Sequence, residues 1–343
     1  MMNDMMTRFD LLQPADLDSA LDMLSRHGAD AWPLAGGYDS FDWFKNRGKQ
    51  PAVVIDLEGI AELKGVRELE GGVGPGGGGG IEIGAMTTLA ALEADPLIRS
   101  RYAILADASA EVASPQIRNA GTIGGNVCQD TRCWYYRYGM TCYRAGGNTC
   151  YAGAPGAMNR EHAIFGADRC VAVTPSDVAP ALVALDAEMV VRSARREKVV
   201  PAAEFFMPPG VDITRMTVLG ERDLLTAIRI PDRWAGADFH FEKVADRKTW
   251  DFALVSVAAA VRTSGGGDGR GVIEEARIVA GAVECVPRRL TAVEDLVRGR
   301  PRDEETAEMA GELAVRGADP LDYNHFKIPL LRNLVKRAVR PTA

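Results

Sequence analysis

Five of the six cysteines of this chain lie between residues 128 and 170: Cys128, Cys133, Cys142, Cys150 and Cys170. The stretch "TRCWYYRYGMTCYRAGGNTC" (131–150) holds three of them and also carries Trp134, Tyr135, Tyr136, Tyr138 and Tyr143. Thiols at that density suggest four chemistries. They can pair as disulfides, which an oxidising compartment favours. They can hold a structural zinc ion, although zinc sites usually show CxxC pairs and the gaps here are wider. They can remain free thiols of a redox-neutral loop. Or four of them can bind an iron–sulfur cluster, which needs no fixed short spacing if the loop wraps it. The residues alone leave these open. No Ser/His/Asp set points to a nucleophile or general base, so no catalytic residue is assigned.

Two glycine turns suggest a second chemistry. "PLAGGYDS" places Gly36 and Gly37 directly after an apolar segment. Successive backbone N–H groups in such a turn can form an anion-binding nest, because glycine has no Cβ in the way. "RNAGTIGGN" (118–126) offers Gly121, Gly124 and Gly125, with Thr122 and Asn126 as side-chain hydrogen-bond partners. Either turn alone also fits a tight corner in a crowded α/β layer. The two in this order suggest a pair of turns clamping one long ligand. The runs "GGVGPGGGGG" (71–80) and "SGGGDGRG" (264–271) read instead as lax hairpin loops. Neither is followed by Lys-Ser/Thr and a helix, so neither is a P-loop.

The elements that must position these turns are legible in outline. "PADLDSALDMLSRHG" has the apolar spacing of an amphipathic helix, with Gly28 as its stop. "AWPLAGG" is a strand entering the first turn, "AVVIDL" a buried strand, and "IEIGAMTTLAALEADP" a strand leading into a helix. Together they predict a small α/β layer. "DVAPALVALDAEMVV" reads as helix then strand, and "DLLTAIRIPD" closes that section. From about residue 234, strand-like and helix-like segments alternate through "FHFEKVADRKTWDFALVSVAAAVRT" to "NHFKIPLLRNLVKRAVRP". The expected division is 1–232, with subdomains of about 1–60 and 61–232, and a separate α+β domain over 233–343, the boundary falling near Pro231 to Ala235.

Composition sets the frame. The chain has 343 residues, of which 47% are hydrophobic and 25% charged, the balance of an ordinary globular protein. Its net charge of −7 and the absence of a Lys/Arg run argue against nucleic acid as a partner. No stretch approaches the roughly 18 uncharged apolar residues of a membrane span. The opening "MMNDMMTRFD" has no apolar h-region, so the expectation is a cytoplasmic protein, or a periplasmic one only if a signal-bearing partner exports it.

"LAGGYDS", "RNAGTIGGN" and "TPSDVAPALVALDAEM", taken in order, resemble the FAD-binding subunit of the molybdenum hydroxylases. That family includes xanthine dehydrogenases, aldehyde oxidoreductases, carbon monoxide dehydrogenase and 4-hydroxybenzoyl-CoA reductase. The resemblance extends over nearly the whole chain and implies an α+β fold: a two-subdomain FAD-binding domain followed by a C-terminal flavoprotein domain. It implies a noncovalent FAD. By motif position, the backbone of Ala35, Gly36, Gly37, Tyr38 and Asp39 would cradle the pyrophosphate. Thr122, Gly124, Gly125 and Asn126 would hold the flavin and phosphate region. Asp177 would add a polar contact, and Lys243 would stand near the ring. Family members usually carry Thr where this chain has Tyr38, which removes a short hydroxyl contact but not the backbone cradle.

In most relatives the "GGN" turn runs almost directly into the "SD" helix. Here the segment 127–172 intervenes, and a long loop inside a compact domain needs something to hold it. The resemblance to bacterial aldehyde oxidoreductases and 4-hydroxybenzoyl-CoA reductase implies a [4Fe–4S] cluster on Cys133, Cys142, Cys150 and Cys170. Cys128 is then spare and Cys285 buried core. The aromatic residues would shield the cluster or pack on a partner, with Arg132, Arg137 and Arg144 balancing its charge. The implied partners are a large molybdenum cofactor-binding subunit and a small subunit with [2Fe–2S] clusters. The implied role is electron transfer through FAD to a terminal acceptor during aldehyde or N-heterocycle oxidation. A reductase of an aromatic CoA thioester, with electrons flowing the other way, is the alternative within the family. A metal-stabilised assembly subunit that binds no flavin is the alternative of another class.

Overall fold

The structure, a computed structural model, describes residues 6–74, 76–264 and 271–340. Residues 1–5 of the opening stretch, Pro75 and residues 265–270 of the two glycine runs, and Pro341 of the last segment lie outside the described residues.

The architecture is α+β, built on three sheets. The first is small and parallel, in the order β1 (Asp10–Leu12), β3 (Val53–Asp56), β2 (Ala31–Leu34). The helix Leu17–His27 makes the crossover from β1. Asp16 caps it by accepting from the Ser19 N–H, and Gly28 ends it in a left-handed conformation, φ 51°. Its apolar stripe of Leu17, Ala20, Leu21 and Leu24 packs on Val53 and Ile55.

The second sheet has five antiparallel strands in the order β4 (Val66–Val73), β5 (Gly78–Gly84), β8 (Leu224–Pro231), β6 (Glu188–Ser193), β7 (Arg196–Pro201). The first glycine run joins β4 to β5 as a hairpin. The third sheet is also antiparallel: β12 (Arg288–Arg289), β11 (Val272–Gly281), β10 (Val255–Ser264), β9 (Asp238–Val244).

β10 explains how the third sheet is held. Alternate side chains of a strand face opposite ways. Val255, Val257, Ala259 and Val261 pack under the helices Glu304–Ala314 and Lys327–Val339. Ala258 and Ala260 face the opposite way, into the core of the second sheet. There they meet the helix Val178–Ala184, in which every residue is buried. A helix apolar all round belongs between layers rather than on a surface. Its Pro180 presses so closely on β11 that a Cβ at Gly281 would stand 2.8 Å from the proline ring.

A polar pin adds to this packing. Lys243 on β9 reaches Asp177, just before the buried helix, at 2.7 Å, and both side chains are about 5% exposed or less. The same ammonium donates to the carbonyls of Glu111 and Asp251. Burial pushes the Asp177 carboxyl up to about 6, against the pull of Lys243. Lys243→Met leaves that carboxylate buried without a counter-charge and is expected to cost about 3–5 kcal/mol. Urea denaturation followed by circular dichroism checks this as a lowered midpoint with an unchanged slope.

Candidate functional site

Gly36 and Gly37 close β2 and open the helix Tyr38–Lys45. Gly37 has φ +82°, a conformation L side chains rarely adopt, and a Cβ there would also strike the Phe41 ring at 2.8 Å. Gly36 needs glycine for another reason. A Cβ on it would lie 2.3 Å from the Ala120 carbonyl oxygen and 3.0 Å from Gly121 Cα. The two glycine turns therefore touch each other. Behind Gly121, the Thr122 hydroxyl caps the helix Ile123–Cys128 by accepting from the Gly125 N–H at 3.0 Å.

The two turns line one cleft of about 1860 Å³. Ala35, Gly36, Gly37, Tyr38, Asp39, Thr122, Gly125, Asn126 and Asp177 all face it. Asn126 is held from behind, its Oδ1 accepting from the Ser176 hydroxyl at 2.5 Å. Two expected residues are not among the lining residues. Gly124 is buried, and a Cβ there would meet Ala85 O at 2.7 Å, so its role is packing against β5's end. Lys243 is fully engaged by Asp177 and two carbonyls, and it acts through Asp177. The cleft also draws on residues the motifs did not flag, including Thr217 to Asp223 and the aromatic pair Trp250 and Phe252. Trp250 and Phe252 are exposed at 58% and 45%. Nothing in the "TWDF" stretch marks it as cleft wall, because its position comes from the loop after β9.

The cysteine segment lies beside this cleft. All six cysteines have free thiols. Cys133, Cys142, Cys150 and Cys170 line a single small cavity of about 290 Å³, with Thr131, Tyr135, Tyr136, Arg144 and Tyr151. Cys128 does not line it; it faces the larger cleft. Among the described residues, no group of three or more His, Cys, Asp or Glu could hold a metal ion as the side chains stand. Burial pushes the Cys133 thiol up to about 11, while the Tyr136 and Tyr135 backbone N–H groups pull the other way. His162, the one histidine of the segment, brings Nε2 to 3.3 Å from Cys133 Sγ. Burial first, then Lys327, lowers that imidazole to about 4.

The three arginines separate by partner. Arg137 bonds Asp39 at 2.7 Å and Asp42 at 3.2 Å, and its guanidinium lies 3.9 Å over the Trp43 ring. Arg132 also pairs with Asp39, at 3.1 Å, and lies over Phe252. Only Arg144 is turned to the thiols. Its side chain is 1% exposed, and Nη2 is 3.4 Å from Cys285 Sγ. Burial works against its charge, yet Cys285, Cys170 and Asp130 hold its pKa above the ordinary arginine value. Cys285 is thus buried as expected, but against this segment. The aromatic residues also divide. Tyr135, Tyr136 and Tyr151 wall the cavity, whereas Trp134 and Tyr138 stack on each other at the surface, ring centres 5.8 Å apart.

Two family models match the chain. The FAD-binding domain of molybdopterin dehydrogenases matches residues 7–233, and the C-terminal domain of the CO dehydrogenase flavoprotein matches residues 240–342. The chain belongs to the molybdopterin dehydrogenase FAD-binding family. Among curated relatives of this flavoprotein is the Escherichia coli aldehyde oxidoreductase FAD-binding subunit PaoB, 31% identical over 87% of each chain. The carbon monoxide dehydrogenase medium chain of Hydrogenophaga pseudoflava is 28% identical over 97% of this chain and 96% of its own. A solved structure of carbon monoxide dehydrogenase from that organism superposes with a TM-score of 0.73 at 27% identity, covering 98% and 97% of the two chains. No helix among the described residues is long and apolar enough to cross a membrane.

Two variants separate neighbouring roles in this flavoprotein. Gly124→Ala is expected to lower the yield of folded protein and its melting temperature, since the new Cβ meets the Ala85 backbone. Asp39→Ala is expected to loosen the cysteine segment by removing charged hydrogen bonds worth about 1.5–3 kcal/mol each. Limited proteolysis checks this as faster cleavage within residues 127–172 at unchanged secondary structure.

Proposed function

We propose that this chain is the FAD-binding electron-transfer subunit of a molybdenum hydroxylase complex and that its inserted loop carries a [4Fe–4S] cluster. The observation that carries the flavin reading is the cleft shared by the two contacting glycine turns, in a chain of an FAD-binding family. FAD, when bound, exchanges electrons singly or in pairs. The chain's own residues bind and orient it. Ala35 to Asp39 would offer backbone N–H groups to the pyrophosphate at the start of the Tyr38–Lys45 helix, where the first amides have no helical partner. Gly125, Thr122, Asn126 and Asp177 would line the flavin side, and Lys243 would hold Asp177 in place.

The cluster reading rests on the four-thiol cavity. The four thiols come from separate stretches of the segment and line one small cavity together, as ligands of a shared cluster would. Arg144 adds to it. Its Nε and Nη1 are buried without hydrogen-bond partners, and its nearest carboxylate, Asp130, stands off at 3.9 Å, so the guanidinium has charge left to share with thiolates in the cavity. Tyr135, Tyr136 and Tyr151 would keep water from the thiolates.

The names of the relatives, an FAD-binding subunit and a medium chain, support assembly with a molybdenum cofactor-binding large subunit and a [2Fe–2S] small subunit. The likeness to PaoB favours an aldehyde as the substrate of the complex. We take the cytoplasm as the working location and 232/233 as the domain boundary, between β8 and β9.

The test is the visible spectrum, flavin content and iron content of the purified complex. Flavin bands with a broad iron–sulfur shoulder are expected, and a colourless protein would refute both assignments. Gly36→Ala should yield flavin-poor protein. Cys133→Ser, Cys142→Ser, Cys150→Ser and Cys170→Ser should each lose iron, while Cys128→Ser retains it. Iron loss in Cys128→Ser with retention in Cys170→Ser would overturn the ligand set.

A further inference from the structure

Two buried nitrogen-bearing side chains of segment 127–172 stand beside the thiols, Arg144 lining their cavity and His162 against Cys133 from outside it. Arg144 lies between Cys142 and Cys150 in sequence, lines the cavity with all four thiols, and backs onto Cys285 at 3.4 Å. Its two remaining nitrogens have no hydrogen-bond partner, and Asp130 Oδ1 stands 3.9 Å from Nη1. Arg132 and Arg137 are taken up by Asp39 and Asp42, Arg160 by Asp246, and Arg169 lies beside Asp168. His162 approaches from the far end of the loop, with Nε2 at 3.3 Å from Cys133 Sγ. Its backbone is held on both sides: the N–H donates to Asn159 O at 3.1 Å, and the carbonyl accepts from Asn324 Nδ2 at 3.0 Å. Nδ1 has no partner among the described residues. His162 is 4% exposed.

We propose that Arg144 and His162 are positioning residues that set the reduction potential of the cluster held by Cys133, Cys142, Cys150 and Cys170. The proposal rests on the cluster reading given above. Reduction places one electron on the cluster, with no bond made or broken, so the reduced form carries one more negative charge. A fixed buried positive charge stabilises that form more than the oxidised one. An N–H directed at a ligating sulfur acts in the same sense by drawing density from it. Both groups therefore raise the potential.

The experiment is a redox titration of the purified complex with dithionite and mediators, monitored by the paramagnetic resonance of the reduced cluster. Iron and flavin contents are measured on the same samples. Arg144→Gln is expected to raise the oxidised-to-reduced ratio at a fixed potential by about tenfold or more, a downward shift of at least about 59 mV for one electron. Arg144→Lys keeps the charge and is expected to stay closer to the wild type. His162→Leu should shift the midpoint in the same direction by less, and His162→Gln, which restores a donor, should recover most of it. His162→Leu carries the test alone if Arg144→Gln gives no folded complex. Wild-type complex without iron would overturn the cluster reading itself. Iron-loaded His162→Leu with an unmoved midpoint, together with an unmoved Arg144→Gln where that folds, would overturn only the present proposal.

Discussion

The carboxylate of Asp39 is shared between the helix that starts at the first glycine turn and the loop that carries the thiols. Oδ1 accepts from Arg137 at 2.7 Å and pairs with Arg132 at 3.1 Å, while Oδ2 accepts from the Asp130 N–H at 3.3 Å. With so many donors on it, this carboxylate is committed to the protein. Under the proposed function, anion binding by the turn would fall to backbone N–H groups, and the acidic side chain beside them is neutralised by two guanidinium groups. Such a network is stabilising only when complete, because each member left alone in a poorly hydrated site is costly. The cleft wall and the thiol cavity therefore have one fixed relation to each other.

Around that carboxylate the loop acquires its neighbours in order. Trp43 receives Arg137 on its face and Tyr136 at its edge, the rings 5.2 Å apart. On the other side Ile164 and Phe165 donate to the Val283 carbonyl, and Lys327 Nζ bonds the Glu161 and Ala282 carbonyls. Segment 127–172 is thus held by the helix Tyr38–Lys45 and by the chain that follows β11. It behaves as a mortised part of the protein and not as a surface excursion.

The sequence made the scaffold legible where one period or one residue type decided the outcome. The stripe of Leu17, Leu21 and Leu24 between Asp16 and Gly28 admits little but a capped amphipathic helix. The run 255–261 lies in a stretch legible only as alternating strand-like and helix-like segments, and the structure makes it a strand buried on both faces. The adjacent glycines 124 and 125 were not separable. Successive residues on a helix point about 100° apart, so one faces Ala85 and the other the cleft. The same limit applies to Arg132, Arg137 and Arg144, whose partners come from residues distant in the chain. It applies to Tyr135 and Tyr138 too, of which one walls the cavity and the other is 75% exposed. His162 carried only one signal, its place inside the inserted segment.

The helix Val178–Ala184 has a kinetic consequence. Its side chains belong at once to the core beneath β5 and β8 and to the face of β10 and β11. Separating the second and third sheets would wet that helix together with Ala258, Ala260 and Val279. No hinge can therefore swing one sheet away from the other while both stay folded. A molecule occupying the cleft can exchange only through the existing mouth, beside Tyr38, Trp250 and Phe252, or during wholesale unfolding. Release of a bound molecule is then governed by what it must break at that mouth and along the cleft wall, and not by any parting of the sheets.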